Sequence, residues 1–472
     1  MSNIKGAFIF PHPPIIVGEV GKGSEVKAQA TIDAVEEAAK RIAELKPDTI
    51  LIITPHGNLF SDAITINGDA LLDGSLVNFG APQVKLELDN DLELVQEISI
   101  HADEKDIMAI AIDKEVRKSY RVENGLDHGA LVPLYFIHKL YQDFKLVHIT
   151  YSMLPHEEHY RFGMAIGQAV EKLNRNTVII CSGDLSHKLT KDAPAGYSPK
   201  GAEFDEEYIE IIKQGAVNKL LSMNCELTEA AGECGLRSTV LMYGILDGCE
   251  TKGEVLSYEG PFGVGYCVAQ LHLNCGNRKN DNSEVLQDYI NDKKKRLHET
   301  RSKEDSYVSL ARNTIESYIR TETLPGFNEK LPPELLQNKA GVFVSLKKHG
   351  ELRGCIGTIA PTTDNIAQEI IQNAVSASTK DPRFYPVEVD ELDELEYSVD
   401  VLGKPEAIGS ASELDVYRYG VIVRNGSKSG LLLPNLEGVD TIEQQLDIVL
   451  QKAGIAKGEN YKMERFEVIR HK

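Results

Sequence analysis

Between Gly276 and Asp305 the chain reads GNRKNDNSEVLQDYINDKKKRLHETRSKED, a charged run relieved only by Val285, Leu286, Tyr289, Ile290 and Leu297. So few large apolar side chains cannot make a core, and the run therefore separates two parts that each bury their own. The full length of 472 residues is also too great for one ordinary core. These observations predict a first domain over 1–276, a charged linker over 277–304 with room for a short helix, and a second domain over 305–472. No internal repeat crosses the linker.

The two flanks have different rhythms. Before the linker, apolar strand-like runs (Ala7–Phe10, Thr49–Thr54, Lys145–Thr150, Thr177–Cys181, Gly265–Leu273) alternate with stretches of helical spacing such as Glu25–Leu45, His156–Leu173 and Phe204–Leu221. That alternation predicts an α/β domain with a central, mostly parallel sheet. After the linker, helical patterns over Tyr307–Ile319, Asn365–Ala377 and Thr441–Lys452 mix with two hairpins, one turning at Lys348-His349-Gly350 and one near Asn425-Gly426. The second domain is predicted to be α+β.

Charge narrows the partners. The chain carries 51 basic against 72 acidic residues, a formal charge of -21. Such a surface repels phosphate backbones and anionic lipid, which disfavours nucleic acid and membranes as partners. The N-terminal run MSNIKGAFIFPHPPIIV is broken by Pro11, Pro13 and Pro14, and no stretch approaches membrane-spanning length. Seven cysteines, an odd number without a Cys-x-x-Cys pair, suit a reducing cytoplasm with no disulfide framework and no zinc ribbon. A cytoplasmic location is the expectation, and a homo-oligomer is compatible with it.

The histidines carry the chemistry. His12 and His56 each follow an apolar run across a single proline, and His187 follows Thr177–Cys181 in the string SGDLSH. The ends of parallel strands share one edge, where ligands bind in open α/β sheets, so residues far apart in sequence can converge there. Turns have no particular need for histidine, whereas converging imidazoles suit a divalent transition metal. A carboxylate would complete a two-histidine site with open positions. Glu233, in the string GECG, is the favoured candidate, and its neighbour Cys234 is the rival ligand. Adjacent residues near a helix start point about 100° apart, so only one of them is expected to face the metal. His128, beside Asp127 and Gly129, stands at another loop-to-helix junction. His156 and His159 are read as surface residues, and the remaining histidines as surface or packing residues.

FPHPPII, TPHG, DHGALVPL, SGDLSH and GECG occur in the order and approximate spacing of the class III extradiol ring-cleavage dioxygenases, the LigB-like fold. Over about residues 5 to 275 the chain resembles that superfamily, and most nearly its Memo-like branch. The resemblance implies Fe(II), with zinc or copper as other occupants, held by His12, His56 and a third ligand. That ligand is Glu233 by the dioxygenase pattern and Cys234 by the Memo pattern. It makes His187 the acid/base, Asp184 its orienting neighbour and His128 a substrate or oxygen contact.

In the second half, ELRGCIGTIAP places Cys355 near Arg353, where a cation could lower a thiol pKa, although a cysteine in a strand is usually a small packed hydrophobe. Leu352 to Gly357 and the string Asp381-Pro382-Arg383-Phe384 resemble the family named after the AMME contiguous-gene syndrome. Arg353, Cys355, Asp381 and Arg383 are its candidate site residues. Chains that join these two domains resemble the AmmeMemoRadiSam system, which implies a radical SAM partner protein. The functional expectation is therefore an Fe(II)-dependent oxidoreductase that takes a small aromatic or related substrate and O2. Two other readings stand beside it: a catalytically silent metal-binding scaffold, and a zinc-dependent hydrolase.

Overall fold

The computed structural model describes residues 3–122, 125–275, 283–324, 331–348, 350–436, 438–456 and 458–472. His349, assigned to a hairpin turn, and residues 276–282, at the start of the charged stretch, lie outside them. The chain forms two compact units, 1–292 and 293–472.

The first unit contains strands β1 (Ile4–Phe10), β2 (Thr49–Thr54), β3 (Ile64–Asn67), β4 (Leu71–Leu76), β5 (Ala81–Asp89), β6 (Ala109–Ile112), β7 (Lys145–Thr150), β8 (Thr177–Ser182), β9 (Glu250–Glu259) and β10 (Tyr266–Asn274). Eight form one mixed sheet in the order β6-β3-β7-β2-β8-β1-β10-β9, and β4 and β5 form a separate ribbon. The central strands β7, β2, β8 and β1 run parallel, and β3 and β10 flank them antiparallel. Each central strand is buried on both faces. Leu51 and Ile53 enter one core while Ile50 and Ile52 enter the other, and Ile179 and Cys181 alternate with Val178 and Ile180 in the same way. Burial of each Leu or Ile contributes roughly 1.5–3 kcal/mol, so a double-sided run such as TILIIT fixes both strand and register.

The parallel register positions the site. Ile9 pairs with Cys181 and Phe10 with Ser182, while Ile53 also pairs with Cys181. The segments after β1, β2 and β8 therefore leave the sheet side by side, carrying His12, His56 and His187.

Cysteine usage differs from the expectation: Cys249 and Cys275 form a disulfide. The cause is register. Glu250 pairs with Asn274 at the open end of the β9–β10 hairpin, so the residues one step outward face each other. No Cys-x-x-Cys pattern announces such a pair.

The charged stretch also folds. Glu284–Lys303 is helical; Leu286 joins the core of the first unit, and Arg301 donates to the Leu392 carbonyl (2.7 Å) in the second. Among the described residues, no helix is long and apolar enough to cross a membrane.

The second unit contains β11 (Val342–Lys348), β12 (Glu351–Gly357), β13 (Leu395–Leu402), β14 (Glu406–Ile408), β15 (Tyr419–Asn425), β16 (Lys428–Leu432) and β17 (Lys462–His471). Its antiparallel sheet runs β12-β11-β13-β17-β15-β16, with β14 also on β17. Helices Ser306–Thr321 and Ile366–Thr379 cover the Val342, Val344 and Leu346 face, and Ile442–Ala453 packs against β15 and β16.

Candidate metal centre

At the shared sheet edge the ligand-type nitrogens of His12, His56 and His128 lie within 4.8 Å of one another. His12 Nε2 is 3.0 Å from His56 Nε2. The His56 and His128 rings stack at 4.3 Å between centroids, and His12 meets each edge-on. His12 is buried, His128 half-buried and His56 exposed, so the cluster opens to solvent on one side. Burial is the first cause holding all three imidazoles below their ordinary pKa, and the neighbouring rings are the next. They are consequently neutral at pH 7 and keep lone pairs for a cation.

Each imidazole is held by its own segment. His12 follows β1, and its backbone N–H donates to Asp184 Oδ1 at 2.9 Å. His128 opens the helix His128–His138, whose N-cap Asp127 accepts from the Gly129 and Ala130 N–H groups. The same carboxylate accepts from Thr54, two residues before His56, and from His148 Nε2 (2.7 and 2.9 Å). Burial alone would raise the Asp127 pKa, but the hydrogen bonds from His148 and Thr54 outweigh it and hold it below the carboxylate range. The β4–β5 ribbon braces this turn through Leu126 N–H to Asp73 O, and Phe79 of its loop packs 5.1 Å from the His128 ring.

The GECG turn presents Cys234, and not Glu233, to the cluster. Cys234 Sγ is 3.8 Å from His12 Nε2 and accepts from the Asp184 backbone N–H at 3.3 Å. Glu233 accepts from the Leu236 N–H at 2.7 Å at the start of helix Leu236–Ile245; neither it nor Cys234 belongs to the close group of His12, His56 and His128. Of the two candidate third ligands, Cys234 thus stands nearer His12, while the Glu233 carboxylate is engaged by a helix terminus. Burial raises the pKa of the Cys234 thiol, with Asp184 as the next cause, so it is protonated in the metal-free protein. Asp184 is also pushed up by burial, its Oδ2 standing 4.0 Å from both His12 Nε2 and His187 Nε2. The whole arrangement depends on Gly183, where an added Cβ would sit 2.2 Å from Gly235 Cα.

Residues 6–269 match the family described as the catalytic LigB subunit of aromatic ring-opening dioxygenase, and residues 308–471 match AMMECR1. A protein of Clostridium acetobutylicum is 47% identical over 471 residues, covering 100% of this chain and 99% of the relative. The chain belongs to the LigB family, with an AMMECR1 domain joined behind. A Thermotoga maritima protein is 49% identical over 171 residues, 36% of this chain and 98% of that relative. Among solved structures, an uncharacterized protein from Pyrococcus horikoshii matches at 35% identity and a TM-score of 0.33, covering 35% of this chain and 88% of that one.

Within the LigB domain the sequence reading missed three supports. His148 is buried and bonded to Asp127; a polar side chain inside the apolar run KLVHIT, on a strand buried on both faces, needs a partner and could have signalled one. Asp127 before a helical run is an N-cap signal. Ser182, which accepts from His12, lies inside the SGDLSH string but carried no assignment. Of His156 and His159, read as surface residues, His156 is half-buried and His159 is corrected: it is fully buried, with Nδ1 on the Pro155 carbonyl and Nε2 accepting from the Ser152 N–H.

In the AMMECR1 domain Cys355, Asp381 and Arg383 come together, and Arg353 is held beside them. The Arg353 guanidinium grips Glu391 through two hydrogen bonds (2.9 and 2.7 Å) and the Tyr385 carbonyl (2.9 Å). Cys355 Sγ accepts from Ser345 Oγ at 3.2 Å. Its backbone N–H donates to Asp381 Oδ2 at 2.9 Å, and its carbonyl accepts from Arg383 Nη2 at 3.1 Å. Arg383 also pairs with Asp381 (2.6 Å). Since β12 is an edge strand, Asp381 and Arg383 stand in for the neighbouring strand it lacks.

Proposed function

We propose that the LigB domain is a non-haem Fe(II)-dependent oxidoreductase of the extradiol type, acting on an electron-rich aromatic or related small molecule with O2. The observation that carries this reading is the convergence of three neutral imidazoles at the solvent-open edge of the parallel sheet. The donor set fits a divalent ion: metal–nitrogen bonds of about 2.1 Å meeting near a right angle separate two nitrogens by about 3 Å. His12, His56 and a third donor from His128 or Cys234 would hold it, and bound iron would supply redox chemistry with O2.

The protein's own contribution is positioning and proton handling. His187 Nδ1 faces the Gly232 carbonyl, which can only accept, so Nδ1 carries the proton and Nε2 is free as a base. His187 is 26% exposed, half-open to solvent and within reach of a ligand at the edge. It would take a proton from an incoming hydroxyl and return it later, with Asp184 beside it. Phe79 offers a flat apolar wall against His128.

Cys234 favours a second reading. A Cys234 thiolate added to all three histidines would fill a position that substrate or O2 would use, and suits a metal-binding partner protein without turnover. The AMMECR1 domain and the resemblance to the AmmeMemoRadiSam system support placing either form beside a radical SAM protein.

Metal content after anaerobic loading with Fe(II) tests these readings. We expect about one iron per chain from a single open site, lost in His12→Ala and kept in Glu233→Ala. Iron kept by Cys234→Ala, with catechol-dependent oxygen uptake, supports the oxidoreductase. Iron lost in Cys234→Ala, with no oxygen uptake by the wild type, supports the scaffold. Iron kept by His12→Ala refutes the centre itself.

A further inference from the structure

Ser182, the last residue of β8, is fully buried and lies between two of the histidine-bearing segments. Its hydroxyl has one hydrogen, and that hydrogen is committed: Oγ donates to the Gly129 carbonyl at 2.6 Å. His12 Nδ1 lies 2.9 Å from the same oxygen. A hydroxyl whose proton is already donated can only accept, so His12 Nδ1 must be the donor. In a neutral ring, protonated Nδ1 means bare Nε2. That nitrogen faces His56 Nε2 and Cys234 Sγ.

We infer that Ser182 is a positioning residue that fixes His12 in the Nδ1–H tautomer and presents Nε2 as a ready metal-binding lone pair. The inference rests on the metal-centre reading above and adds a residue that reading does not use.

The same bond couples two ligands. Gly129 follows His128 directly, and an added Cβ at Gly129 would sit 2.3 Å from Thr54 Oγ1. Ser182 therefore ties the His12 ring to the turn that carries His128, and that turn is packed against the segment leading to His56. The contrast with His56 is instructive. His56 is exposed, and with His12 Nε2 bare its own Nε2 carries the hydrogen of their 3.0 Å contact in the metal-free protein. His12 is prepared for a cation through Nε2, while His56 can join it through that nitrogen only after giving up this hydrogen. Partners of this kind typically alter metal affinity ten- to a hundredfold when removed.

The test combines a spectroscopic signature with metal affinity on the full chain. In ¹⁵N-histidine-labelled, metal-free protein, His12 should show a protonated Nδ1 and an unprotonated Nε2, assigned by comparison with His12→Gln. Anaerobic competition for Fe(II) against a chromophoric chelator should show Ser182→Ala binding ten- to a hundredfold more weakly, with Ser182→Thr, which keeps the hydroxyl, restoring most of the affinity. A wild-type His12 with protonated Nε2 overturns the inference, and this reading stands even where a Ser182 variant fails to fold. Iron bound by the wild type and equally by Ser182→Ala overturns the positioning role alone. A wild type that binds no Fe(II) overturns the metal-centre reading and the positioning role together.

Discussion

At the scale of single residues, the first unit is unusual in how many imidazoles it buries. His159 makes two hydrogen bonds that require a neutral Nδ1–H ring, and burial pushes its pKa down to about 3. A histidine lowered from an unfolded value of about 6.5 contributes stability that is present above pH 6.5 and is lost as pH falls toward the folded value, because the unfolded chain then binds more protons. His156, lowered to about 4, and the three cluster histidines act in the same sense. Asp205, raised to about 6 by burial, acts oppositely, as do Asp184 and Glu233. The imidazoles outnumber these carboxyls, so the melting temperature of the metal-free protein should fall between pH 7 and pH 5. Thermal scans across that range check it; a flat or rising profile contradicts it. Much of this chemistry was legible in the sequence. His12 and His56, which the structure brings together, were legible from their places after strand-like runs. The facing of Glu233 and Cys234 was not, because adjacent residues in one turn differ only by a rotation that the neighbouring helix decides.

At the scale of elements, legibility followed burial. TILIIT, KLVHIT and TVIICS announce themselves because both faces of each strand are apolar. The edge strand β9, ETKGEVLSYE, and the four-residue strands β3 and β6 are held by register with their neighbours and carry little pattern of their own. The SGDLSH, DHG and GECG strings were read for chemistry, yet part of each is a cap or a close backbone contact. The LRGCIG strand shows the same division. Its motif partner, the DPRF string, supplies side chains that saturate an edge. Arg383→Ala should leave the Cys355 carbonyl without its partner and loosen Asp381 from the edge, costing about 1–3 kcal/mol for the exposed backbone groups and raising self-association. Urea unfolding and light scattering check both effects. An unchanged midpoint and no scattering would contradict this edge-protecting role of Arg383.

At the scale of the whole molecule, two compact units that each bury their own apolar residues imply two unfolding events, each answering to its own unit. The disulfide distinguishes them, since Cys249 and Cys275 both belong to the first unit and are separated by 26 residues. Cys249→Ser should lower the stability of the first unit by about 2–4 kcal/mol through the freed unfolded chain and leave the second transition in place. Calorimetry with and without reductant checks this. A shift in both transitions, or in neither, contradicts it. The division into two parts was plain in the sequence from the charged stretch, although that stretch turned out to be largely helix. Its few apolar residues, Leu286 among them, were enough to anchor it.

The contact of Gly183 with Gly235 has a consequence for how such chains can vary. The two positions sit on different segments, and each already has the smallest side chain available, so neither can yield room to a change in the other. No compensating second substitution exists for Gly183. Drift in descendants of this chain is thereby barred first from the turn that carries Gly183, whose Cβ would lie 2.2 Å from the Gly235 backbone, whereas a Cβ at Gly235 would meet Gly183 only at 3.4 Å.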